Sequence, residues 1–158
     1  MDEYQSFIHR SRYARYIHEE GRRENWHETV SRYLDFFEDK YPKQVKPVRE
    51  KLYQHIFEMN VMPSMRCLMT AGPALERDNA AGYNCAYLAV NSLRSFDEAF
   101  YLLLCGTGVG FSVERQEIGN LPEVAGEHHH SESTIIVRDS KLGWASALKE
   151  VISMVWGG

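Results

Sequence analysis

Three thiols are the groups in this sequence best suited to redox or nucleophilic chemistry, and their surroundings tell them apart. Cys85 stands in "GYNCAYLAV" (82–90), directly behind Tyr83 and Asn84 and at the mouth of a short apolar run with strand character. A thiol in that place sits near the end of a sheet, and ligand sites of α/β folds collect at strand ends, usually the carboxyl ends. The same residue also reads as a small buried hydrophobe. Cys67 in "SMRCLM", beside apolar residues, and Cys105 at the close of an apolar helical run have no charged neighbour that would obviously lower a thiol pKa, and both read as packing residues. An odd set at wide spacing suits neither a secreted disulfide framework nor a CxxC metal site, so thiols, or at most a transient redox pair, are expected.

Other stretches invite chemistry less specifically. "CGTGVGFS" (105–112) looks like a phosphate-cradling loop, but it lacks the P-loop lysine, and its glycines lie between a helix and a strand. The strand-to-helix order that aims helix amides at a phosphate is reversed here. Gly106 is expected to cap the helix, and the later glycines to let the strand backbone pass close to a neighbour or a ligand. "HHH" (128–130) lies in a polar stretch with no Cys or carboxylate pattern to complete a four-ligand set, so a solvated loop and no metal are expected. In "MPSMR" (62–66), Ser64 and Arg66 could hold an anion, although turn residues and surface charges look the same.

The elements that must position these groups follow from periodicity. The first third reads helical: a helix over 3–17 with Phe7, Ile8 and Tyr16 near one face, a break at Gly21, and a second helix opened by an Asn25/Glu28 capping box and stopped by Pro42. A third, around "VREKLYQHIFEM", ends before Pro63. Beyond Pro63 the elements are short. "NCAYLAV" is apolar enough to be a strand covered on both faces, and "SFDEAFYLLLC" is a helix with a Ser95/Glu98 capping box. "VGFSVER" follows as a second strand, so strand, helix and strand within about thirty residues make a βαβ unit with parallel pairing. The polar stretch 115–133 is a long loop, "TIIVRD" (134–139) a third strand, and Ser140 caps a last helix through Trp144, Leu148, Val151, Ile152 and Val155. Two or three apolar strands cannot close a sheet, so the chain reads as the beginning of something larger.

Composition excludes several classes. With 158 residues, 44% hydrophobic and 25% charged, the chain falls among globular domains, and its formal charge of −4 offers no basic footprint for direct nucleic-acid binding. No apolar run reaches the ~18 residues of a membrane span, and the charged N-terminus lacks a secretory h-region. A cytoplasmic protein without membrane contact is expected.

Taken in order, "GRRENWHETVSRYLDFF", "MPSMRCLMTAGPAL", "GYNCAYLAV", "FDEAFYLLLCGTGVGFSVER" and "VRDSKLGWASALKEVI" resemble ribonucleotide reductases, above all the adenosylcobalamin-dependent (class II) ribonucleoside-triphosphate reductases. The resemblance covers nearly the whole chain, and its specificity lies in the ordered set. It implies an α/β fold: a helical N-terminal region (1–62), then the first strands of a ten-stranded α/β barrel (63–158), incomplete in this chain. It implies that Cys85 is one of two thiols that reduce the 2′ carbon of a ribonucleotide, with Tyr83 and Asn84 flanking the ribose and phosphate pocket and Ser64 in the segment lining the phosphates.

The same resemblance implies adenosylcobalamin as cofactor of the complete enzyme, with another radical source as the runner-up. It also implies a thioredoxin-like reductant, a deoxynucleotide effector near the loop Arg115–Ser133, and a partner in the remainder of the reductase chain. The radical-bearing cysteine and the second redox cysteine lie outside these 158 residues, and Cys67 and Cys105 match neither, so the chain alone is expected to be inactive. The alternative is a stand-alone nucleotide-binding or regulatory module without redox chemistry.

Overall fold

The computed structural model describes residues 1–157 as two compact units, 1–83 and 84–158, the last residue lying outside the description. The first unit is helical. α1 (Glu3–Ile8) opens on an Asp2/Gln5 capping box and runs into a π-helical turn (His9–Tyr13), after which the chain extends. β1 (Tyr16–Ile17) and β2 (Arg22–Arg23) pair antiparallel around Gly21 at φ 63°, a left-handed conformation that glycine adopts without steric cost. The helix expected over 3–17 therefore stops at Tyr13. Ala14 is buried, its carbonyl accepts from Arg23 Nη1, and the Arg15 amide donates to Glu24, so tertiary partners claim the backbone that a longer helix would use.

α2 (Trp26–Lys40) carries the predicted capping box, Asn25 Oδ1 accepting from the Glu28 amide at 2.9 Å and Glu28 Oε2 from the Asn25 amide at 2.7 Å. Pro42 opens the next short helix, α3 (Pro42–Val45), where a missing N–H costs nothing. α4 (Arg49–Phe57) then packs on α2 through Val30, Leu34 and Ile56, with Trp26, Tyr33 and Tyr53 around them. Helical structure continues past Pro63 in α5 (Met65–Thr70), α6 (Pro73–Arg77) and a 3-10 turn (Asn79–Gly82), which bury Ala71, Leu75 and Ala81 against Phe36.

One buried ion pair ties these pieces together. Glu24 is only 6% exposed, and its carboxylate accepts from Arg32 Nε at 2.6 Å, Arg32 Nη2 at 3.0 Å, the Thr29 hydroxyl at 2.9 Å and the Arg15 amide at 3.1 Å. Arg32 Nη1 reaches on to the carbonyls of Leu68 and Ala71, and Arg15 Nε to that of Met69, so two guanidinium groups occupy carbonyls at the C-terminal end of α5.

The second unit contains the predicted βαβ arrangement. β3 (Cys85–Ala89) leads through α7 (Arg94–Leu104) to β4 (Gly108–Ser112), and the strands pair in parallel from Cys85↔Gly108 to Ala89↔Ser112. Gly106, at φ 85°, ends α7 as expected. The Ser95/Glu98 capping box does not form. α7 begins two residues earlier, with Leu93 at its N-cap, and the buried Ser95 hydroxyl donates instead to the Ala89 carbonyl at 3.1 Å. A short helix, α8 (Arg115–Ile118), interrupts the polar stretch. α9 (Lys141–Gly157) packs on α7, its Trp156 donating to the Pro122 carbonyl at 2.9 Å and lying 5.7 Å from the Phe96 ring. Ser140 caps α9 through the Gly143 amide, as predicted. The third strand is absent: 134–139 forms no ladder, and Ile136 is 88% exposed. The described structure thus mixes helices with a parallel strand pair, and no ten-stranded barrel is visible in it.

Two measurements check this packing. Neutralising one side of the buried pair in Glu24→Gln leaves the Arg32 charge uncompensated and is expected to cost about 3 kcal/mol in urea unfolding. Acid acts in the same direction. Burial by itself would raise the Glu24 pKa, but the bonds from Arg32, Arg15 and Thr29 outweigh it and hold the carboxyl below its ordinary 4.5. Burial holds His9 below 6.5. The unfolded chain therefore binds more protons than the folded one, and stability falls with pH, from about 6.5 through His9 and further below 4.5 through Glu24.

Gly143 gives the second check. Replacing a helical glycine with alanine ordinarily gains up to about 1 kcal/mol. Here an added Cβ would lie 2.2 Å from the Arg138 carbonyl oxygen, so Gly143→Ala is expected to lower the melting temperature instead.

Candidate functional site

The second unit presents a sheet face with little on it. Side chains alternate along a strand, so Cys85 and Tyr87 share one face of β3, and their register partners Gly108 and Gly110 share it on β4, with Ser112 beyond. Ala86, Leu88, Val109 and Phe111 take the other face. The strand expected to be covered on both sides is open on the first: Cys85, Tyr87, Gly108 and Gly110 are all exposed. A Cβ at Gly108 would meet only the Asn84 carbonyl at 3.6 Å, and one at Gly110 only the Ala86 carbonyl at 3.9 Å. No neighbour in this unit demands those glycines, and their effect is a strip of bare backbone beside the thiol.

Cys85 Sγ is exposed and takes no hydrogen bond from any described residue, so the packing alternative for this cysteine does not hold within its own unit. Asn84, also exposed, leads into the strand, and its carbonyl accepts from the Gly108 amide at 2.8 Å. Tyr87 is fixed by a relay. Its hydroxyl donates to Ser112 Oγ at 2.7 Å, and the Ser112 hydroxyl in turn donates to Glu114, holding that carboxyl below the usual range. Sequence reading passed over Tyr87 and Ser112, although a period of two from Cys85 and Gly108 already puts both on the face of the thiol.

The remaining candidates belong to the first unit. Ser64 caps α5, its Oγ accepting from the Cys67 amide at 3.4 Å, and stays exposed. Arg66 Nε donates to the Ala81 carbonyl, so this guanidinium is already partly engaged. Tyr83 follows the 3-10 turn with its ring 65% exposed.

The other cysteines differ from expectation in one respect. Cys67 is half-buried with Sγ donating to the Gly82 carbonyl at 3.5 Å, a packing role. Cys105 is buried too, but Lys141 Nζ donates to its sulfur at 3.5 Å, a charged neighbour thirty-six residues away in sequence. Among the described residues no group of three His, Cys, Asp or Glu side chains converges as a metal site would require, His128–His130 included. Among the described residues no helix is long and apolar enough to cross a membrane.

Comparison with known proteins gives a consistent picture. Residues 1–73 match the family model described as ribonucleotide reductase alpha domain. The chain is 29% identical over 144 residues to the adenosylcobalamin-dependent ribonucleoside-triphosphate reductase of Lactobacillus leichmannii, covering 71% of this chain and 20% of that protein. With the enzyme of the same name from Lactobacillus helveticus it is 26% identical over 161 residues, 82% of this chain and 21% of that one. A crystal structure of a B-12 dependent (class II) ribonucleotide reductase superposes with a TM-score of 0.79 over 96% of this chain and 30% of that chain, at 22% identity, which establishes the shared fold. The resemblance carried by the sequence motifs is borne out, and the chain spans about one fifth of the length of the curated relatives it matches.

The exposure of the three thiols sets an order of reactivity. In iodoacetamide labelling of the native chain, read by peptide mass mapping, Cys85 is expected to react first and Cys105 last. Protection of Cys85 from the label would show that the sheet face is closed.

Proposed function

We propose that this chain supplies the first strands of a ribonucleotide reductase and that Cys85 is one of its two reducing thiols. The observation that carries this reading is a thiol at the start of a parallel strand, exposed above a floor of glycine backbone, in the fold of a class II reductase. Bare backbone beside a reactive sulfur lets a bulky substrate approach to van der Waals distance, and two β-carbons at positions 108 and 110 would fill that space.

The reaction is a two-electron reduction. A substrate 2′ hydroxyl leaves as water and a hydrogen takes its place, while two thiols lose two electrons and two protons and join as a disulfide. Cys85 is one partner; the other belongs to the remainder of the reductase, since Cys67 and Cys105 are buried or half-buried in packing contacts. A thioredoxin-like dithiol would restore the pair by exchange. Adenosylcobalamin, when bound to the complete enzyme, supplies the radical that activates the sugar. The residues present here do not define a place for the corrin, and what they contribute is the thiol, its open face and the fixed Tyr87.

Asn84 and Tyr83, adjacent in sequence to Cys85, are assigned to the ribose and phosphate pocket. Ser64 is assigned to the substrate phosphates: its hydroxyl accepts from the Cys67 amide and keeps its own proton for an anion. The apolar side chains left exposed in the second unit, Tyr87, Phe111, Leu142 and Trp144 among them, fit a unit that further strands and helices cover. A cytoplasmic setting follows from the reducing conditions this thiol needs. The loop after β4 remains the proposed contact for a deoxynucleotide effector.

The decisive experiment is Cys85→Ser in the complete reductase, with turnover measured in the presence of a dithiol. A fall of at least about 10³-fold, roughly 4 kcal/mol in the barrier, is expected while substrate binding persists. Undiminished turnover would leave the chain as a nucleotide-binding or regulatory module with no redox part.

A further inference from the structure

The first unit contains a cavity of about 230 Å³ whose lining includes Tyr13, Trp26, Met59, Met62 and Met65, with His9 among them. Four of the chain's six methionines reach it, counting Met1. The volume would hold several waters at about 30 Å³ each, yet the lining offers them few polar partners. Thioether sulfur and aromatic rings favour a flat aromatic occupant, which gains edge and face contacts that water or an alkyl chain does not.

His9 supplies the polar group, and the hydrogen-bond chain behind it determines which kind. Glu24, ionised by Arg32, can only accept, so the single proton of the Thr29 hydroxyl goes to Glu24 Oε2 at 2.9 Å. Thr29 Oγ1 must then accept from His9 Nε2, also at 2.9 Å. Burial holds the His9 pKa below its ordinary 6.5, and in the neutral ring, with Nε2 donating, Nδ1 carries a lone pair and no proton. No described residue donates to it. The residue is 5% exposed and lines the cavity. Trp26 stands edge-on to the imidazole at 5.4 Å and is fixed by its own bond to the Phe57 carbonyl, so the wall and the acceptor are rigid before anything binds.

We propose that this cavity is a binding site for a planar heteroaromatic ring of one or two fused rings that bears an N–H, which donates to His9 Nδ1 while the ring lies among Trp26, Tyr13 and the methionines. Tyr4, Gln5 and Tyr13 bring further polar atoms to the lining, but Gln5 Oε1 already accepts from the Asp2 amide, and a ring without a donor leaves the His9 nitrogen unpaired. The site lies wholly in the first unit and is independent of the role assigned to Cys85.

Indole and benzofuran test it, being alike in shape and differing in the N–H. In the full chain labelled with ¹³C at the methionine methyls, indole is expected to shift Met59, Met62 and Met65 and leave Met69 and Met154 in place. Benzofuran, although the more apolar, is expected to bind at least about 10-fold more weakly, the worth of one good hydrogen bond. His9→Phe is expected to erase that difference. If the variant does not fold, the comparison of the two probes on the unaltered chain still decides. Equal affinities, uniform shifts of all six methyls, or no shift at millimolar indole would each overturn the proposal.

Discussion

A carboxylate taken out of water is tolerable only when every lone pair it exposes is met, and the first unit is arranged around meeting those of Glu24. Four donors reach it, from the β1 approach, from α2 and from the Arg32 fork. The fork also faces the other way, onto the carbonyls of α5, so the charge that satisfies Glu24 satisfies the end of a helix as well. The C-terminal end of α5 is thereby held, and Ser64 at its N-terminal end sits on a helix that cannot easily turn or slide. The same network fixes the tautomer of His9 through Thr29, and so decides the character of a cavity that the carboxylate never touches.

The second unit rests on a different constraint. Its apolar interior is small, Cys105 and Ala145 being the buried apolar residues, while large side chains on β3, β4 and α9 stay exposed. Backbone pairing and the α7–α9 contact define its shape. The result is a rigid strand pair with a free face, and that combination suits a site: the ladder holds Cys85 in place while nothing in its own unit covers it. Asp97 belongs to the same economy. Its carboxylate is buried, one oxygen is without a partner, and the nearest cation, Arg94, is 3.8 Å from the other.

Where sequence and structure part, the cause is a partner that sequence spacing does not reveal. The 3–17 helix ends early because Arg23 and Glu24, brought back by a turn at Gly21, bind the backbone near Ala14 and Arg15. Ser95 has the right spacing for a cap, yet the end of β3 lies close enough to take its proton. "TIIVRD" has strand composition, yet no strand among the described residues pairs with it. The Asn25/Glu28 box, by contrast, closes within four residues and needs no partner from elsewhere. The same holds for Gly106, whose left-handed turn follows from the residue itself.

What the sequence by itself determined is therefore local or ordinal: caps and turns that close within a few residues, the βαβ order that forces parallel pairing, and the ordered set of motifs that tied the chain to the reductases. Tertiary structure alone decided exposure and company. It left the Cys85 sulfur uncovered, set Lys141 against Cys105, bound Tyr87 to Ser112, and joined His9 to Thr29. Burial and hydrogen bonding depend on which distant segments arrive at a residue. Periodicity can say which way a side chain points, but not what it meets there.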